Sequence, residues 1–163
     1  MVAAFCLRLA AGLILMLPML TAVEIPPRFY RVHFLTALGL LAVAGWFLAA
    51  EATPAFWALL VASMAACVIG SIVWHLRDAP GGNAAAWLTP VLLTATLIHA
   101  GMLQRGENGS AQHVADDVLA ALVLGGATTA MLMGHSYLIA PAMTIAPLMW
   151  LLGALAGAVL LRI

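Results

Sequence analysis

The chain has 163 residues, 66% hydrophobic and 7% charged, with six basic and six acidic side chains and a formal net charge of zero; its mean hydropathy is +1.13. Soluble domains carry about 25% charged residues, so this composition excludes an ordinary soluble globule and points to an integral membrane protein. All six basic residues are arginines and they are scattered, which excludes a basic tail or a nucleic-acid-binding face and leaves lipid and other membrane subunits as the expected partners.

A membrane-crossing helix needs about 20 predominantly apolar residues. The opening run, MVAAFCLRLAAGLILMLPMLTAV, is long enough and lacks the basic leader of a cleaved signal peptide, so it is expected to be the first span, roughly 3–23. Five more spans are expected at about 33–50, 55–76, 85–104, 114–138 and 145–163, separated by the breaks EIPPRFYR, EATP, RDAPGGN, QRGENGSAQ and IAPAMT. Breaks this short force consecutive helices to be antiparallel neighbours. The expected fold is therefore all-α: a single transmembrane domain of about six helices in up-down order, with both termini on one face.

Let face A be the face that carries the termini and face B the other. Face B then holds Arg28, Arg31 and Arg77, and face A holds Arg8, Arg105 and Arg162, a balance that gives no orientation by the positive-inside rule. The all-arginine basic set and abundant alanine suggest a GC-rich bacterial genome, and so the bacterial cytoplasmic membrane. Pro18 and Pro90 fall within spans, where each is expected to kink its helix and free a carbonyl. Small residues at four-residue spacing, Ala62–Ala66–Gly70, Gly126–Ala130–Gly134 and Gly153–Gly157, are expected at helix contacts. Cys6 and Cys67 sit inside apolar runs without metal-ligand spacing, so they read as small hydrophobes, and no metal site is expected.

Ionisable and polar groups at membrane depth are functional candidates by default, and the topology gathers them at two places. On face B lie His33 at the start of the second span, Trp74 and His75 at the end of the third, and His135, Ser136 and Tyr137 at the end of the fifth, beside Glu24, Arg28, Tyr30 and Arg31 of the first loop. Such a group suits an aromatic belt at the membrane interface. It also suits a quinone head-group pocket, in which imidazole or hydroxyl donors meet quinone carbonyls between flanking rings. Third, His75 and His135 at similar depth would suit a bis-histidine haem b. On face A, His99 lies inside the fourth span, and a short loop away the start of the fifth carries His113, Asp116 and Asp117; the aspartates read either as first-turn residues favoured by the helix dipole or, one of them, as a proton-relay partner of His99. Arg8 and Glu51 are candidates for an ion pair on the same face.

No catalytic residue is assigned, and no phosphate loop or nucleophile elbow is present. The expected function is an accessory or structural subunit of a larger membrane complex, one that handles electrons through quinone or haem. The alternatives are a small transporter or channel acting as a homo-oligomer, and a membrane-embedded enzyme with a lipid-soluble substrate.

Overall fold

Proline placement explains where several helices begin and end. Helix α2 (Pro27–Leu48) starts on Pro27, with Pro26 in extended conformation before it, and α3 (Pro54–Val73) starts on Pro54. Proline suits a first helical turn because its missing N–H would have had no intrahelical acceptor there. Thr53 caps α3 by accepting the Phe56 N–H at 3.2 Å. Helix α1 (Val2–Leu15) stops short of its expected end: Pro18 has no N–H for the Ile14 carbonyl, and the chain tightens into a 3-10 turn, Leu17–Met19, then extends at Leu20. Pro90, by contrast, is accommodated inside α4 (Gly82–Arg105). Gly81 precedes α4 at φ +81°, a left-handed conformation that glycine adopts without strain. The fold is completed by α5 (Ala111–Ile139) and α6 (Ala146–Arg162).

This computed structural model describes residues 1–20, 25–50, 52–76, 81–105, 110–139 and 144–162. Among them the protein is all-helical, with six helices and no strand. The first five segments are long and apolar enough to cross a membrane, α1 with the help of its 3-10 turn. Helix α6 has 17 residues, about 26 Å at 1.5 Å per residue, which falls just short of a hydrocarbon core of about 30 Å. The expected spans at 33–50 and 114–138 begin earlier than expected, at Pro27 and Ala111. The far end of the expected first span, residues 21–23, lies outside the described residues.

Helix α1 is the centre of the bundle. Over half of its span is buried, more than on any other long helix, and it packs against α2, α4 and α5. Helices α2, α3 and α4 complete a ring with α1, while α6 packs on α5. Its alanines and glycine, Ala3, Ala10, Ala11 and Gly12, let neighbours approach closely. The closest approach is between Gly12 and Gly125, where a Cβ on either residue would overlap the backbone of the partner helix. Contacts run in opposite order along α2 and α3, where Gly45 meets Leu60 and Tyr30 meets Trp74, so these two are antiparallel. Arg8 meets Asp117 and Gly12 meets Gly125, so α1 and α5 run the same way.

Candidate functional site

The face-B residues share one end of the bundle, but α2 divides them. At about 100° per residue, Arg28, Phe29, Val32 and His33 point to one side of α2, and Tyr30, Arg31 and Phe34 to the other. On the latter side the rings of Tyr30 and Trp74 stack at 3.9 Å and 6°, and the Tyr30 hydroxyl donates to the Leu20 carbonyl at 3.1 Å. Arg31 lies 3.2 Å from Nδ1 of His75; a guanidinium only donates, so Nδ1 is the acceptor. Phe34 lies over Gly70, where a Cβ would fall 2.5 Å from the ring. This side is a buried aromatic seam joining α2 to α3, with an exposed Arg31–His75 contact at its edge.

The other side of α2 faces the end of α5 and encloses a pocket of about 280 Å³, lined by Pro26, Arg28, Phe29, Val32, His33, Leu132, His135 and Ser136. Its size is close to the lower end of small-molecule sites, roughly 300 Å³. His33 is fully buried in its wall, its ring 4.3 Å from that of Phe29. Nδ1 of His33 lies 2.8 Å from the Phe29 carbonyl and so donates to it, while Nε2 lies 3.3 Å from Oγ1 of Thr129. In the neutral ring Nε2 accepts the threonine proton, which ties α2 to α5. Ser136 donates to the Leu132 carbonyl at 2.9 Å. His135 is exposed and hydrogen-bonds to no described residue, and neither does Arg28.

Of the five residues expected to bind a cofactor, the structure thus brings His33 and His135 to one pocket. It places Trp74 and His75 across α2 from them. Tyr137 is apart as well, its hydroxyl donating to the Thr144 carbonyl at 2.7 Å across the α5–α6 connection. His75 and His135, the pair a haem would need, are separated by α2. Thr129 carried no distinguishing signal in the sequence, because only the rotation of α5 against α2 makes it a partner of His33; Phe29 lies four residues before His33 on α2, a same-face spacing that is local to the helix.

Face A is organised around Asp117, whose side chain is 4% exposed. Nε and Nη2 of Arg8 both donate to Oδ1, the former at 3.0 Å, while Arg105 donates to Oδ2 at 2.7 Å and to Oδ1 at 3.1 Å. Gly101 leaves the necessary room, since a Cβ there would lie 2.7 Å from Oδ2. His99 is not part of this cluster; its Nε2 lies 3.3 Å from Oγ1 of Thr53, so the side chain links α4 to α3. Because α5 begins at Ala111, Asp116 and Asp117 fall in its second turn, outside the first-turn position of a capping carboxylate. Nδ1 of His113 lies 2.6 Å from the Ser110 hydroxyl at the helix start. Arg8 therefore pairs with Asp117; Glu51, its expected partner, lies outside the described residues.

A larger groove of about 520 Å³ between the 3-10 turn and α4 is lined by apolar side chains except for Thr94 and the Trp87 indole, and it presents no comparable cluster of polar groups. Among the described residues no three His, Cys, Asp or Glu side chains are grouped to hold a metal ion. Comparison with protein-family models, with curated proteins and with solved structures gives no match.

Proposed function

We propose that this protein is an integral membrane subunit of a larger electron-transport complex, crossing the bilayer with six helices and both termini on face A, and that its α2–α5 pocket receives the head group of a lipid-soluble quinone. The observation that carries the reading is the pocket itself: apolar walls from Phe29, Val32 and Leu132, with Arg28 and His135 as donors without described partners. A flat, apolar ring bearing two carbonyl acceptors is complementary to such a lining. The pocket lies at the end of the bundle where α2 begins and α5 ends, the depth at which a quinone head would meet the interface while its tail stays in the hydrocarbon. The connections between helices are short, so the electron donor or acceptor of such a quinone would be carried by another subunit.

The test is purification in a mild detergent, with native mass spectrometry for partner subunits, solvent extraction for bound quinone and equilibrium dialysis with a short-chain quinone analogue. Co-purification with other membrane subunits, together with saturable analogue binding competed by the extracted quinone, is the expected result. A chain that emerges alone and binds no analogue, or whose pocket holds an anionic phospholipid that the analogue does not displace, overturns it.

A further inference from the structure

The hydrogen-bond inventory of the α2–α5 pocket goes beyond the presence of a quinone to its oxidation state. Most protons on its polar wall are already committed. Nδ1–H of His33 goes to the Phe29 carbonyl, the hydroxyl proton of Thr129 to Nε2 of His33, and that of Ser136 to the Leu132 carbonyl. Two lining side chains have no partner among the described residues, Arg28 and His135. A guanidinium has five N–H donors and no acceptor, and a neutral imidazole has one of each. Ser136 Oγ and His135 keep acceptor capacity, whereas at Arg28 the uncommitted capacity is donation alone.

We propose that this site selects the oxidised quinone over the quinol, with Arg28 and His135 donating to the two carbonyl oxygens. This rests on the quinone reading of the pocket. A quinone oxygen only accepts, so both ends of the ring find donors. A quinol presents an O–H at each end; the one facing Arg28 meets a group that cannot accept it and must turn aside or stay unpaired. An O–H that loses its acceptor on binding weakens the quinol relative to the quinone; because Arg28 and His135 are exposed at the rim of the pocket, the penalty is at its lower end, about tenfold in affinity.

The experiment measures dissociation constants of one short-chain quinone analogue in its oxidised and dithionite-reduced forms, on the purified protein with its co-purifying partners. The oxidised form is expected to bind about tenfold more tightly. Arg28→Gln, whose amide both donates and accepts, is expected to bring the two constants together; His135→Leu weakens both forms, and His135→Gln restores part of the oxidised-form affinity. Equal constants for the two forms in the unaltered protein overturn the selectivity and leave the quinone site standing. Undiminished preference in Arg28→Gln overturns the assignment to Arg28. Failure of both forms to bind overturns the quinone site itself.

Discussion

Asp117 receives donors from arginines on two other helices, so the three side chains tie α1, α4 and α5 together at face A. Removing one partner from a buried ion pair leaves the remaining charge uncompensated, at about 3 kcal/mol or more. Asp117→Asn leaves two guanidinium groups facing a neutral amide, and because both are partly solvated it is expected to lower thermal stability in detergent by less than that, about 2 kcal/mol. Arg8→Ala should lower it by only about 1 kcal/mol, because Asp117 keeps Arg105 and both arginines are partly solvated. An Asp117→Asn melting curve superimposable on that of the unaltered protein would show the cluster to be energetically idle. At the other end, Thr129→Val preserves shape while removing the proton that His33 Nε2 accepts. Interhelical hydrogen bonds in membrane proteins average about 0.6 kcal/mol, so this variant should lose less than about 1 kcal/mol while loosening the pocket wall. The readout is analogue affinity measured beside the melting midpoint.

At the scale of elements, glycines that look alike in sequence differ sharply in what surrounds them. Gly12 and Gly125 let α1 and α5 meet backbone to backbone, whereas Gly134, Gly153 and Gly157 have nothing within 4 Å of where a Cβ would sit. Gly12→Ala or Gly125→Ala must push two central helices apart, and overpacking of this kind costs about 1–3 kcal/mol. Gly134→Ala and Gly157→Ala should be neutral or stabilising by up to about 1 kcal/mol, from better helix propensity alone. Thermal unfolding of the four variants side by side tests the contrast; equal losses would mean that the α1–α5 crossing is looser than this packing implies. The stripe Gly126–Ala130–Gly134 is only partly used: a Cβ on Gly126 would lie 3.5 Å from Leu155 of α6 and 3.7 Å from Met16, and one on Gly134 would meet nothing within 4 Å.

At the scale of the molecule, Ser110 and Leu76 are both exposed, and the proposed six-crossing arrangement puts the first at face A and the second at face B. The two natural cysteines are buried, so a single introduced thiol gives a clean report. Ser110→Cys and Leu76→Cys are expected to react with a membrane-impermeant maleimide from opposite sides, one in intact cells and the other only in inverted vesicles. Labelling of both from the same side would refute the six-crossing arrangement.

Helix number and type were legible in the sequence because hydropathy is a local sum: each apolar run must satisfy its own backbone hydrogen bonds as a helix, whatever its neighbours. Prolines and glycines marked several of the boundaries for the same local reason, although Pro18 ended a helix that composition alone would have continued. What only the tertiary structure decided is which polar groups meet, because that depends on the rotation of each helix about its axis and on contacts far apart in sequence. Arg8 and Asp117 are separated by 109 positions and His33 and Thr129 by 96, and no local pattern encodes either pairing. The same rotation of α2 turned one sequence cluster of histidines and aromatics into a packed seam on one side and a pocket on the other.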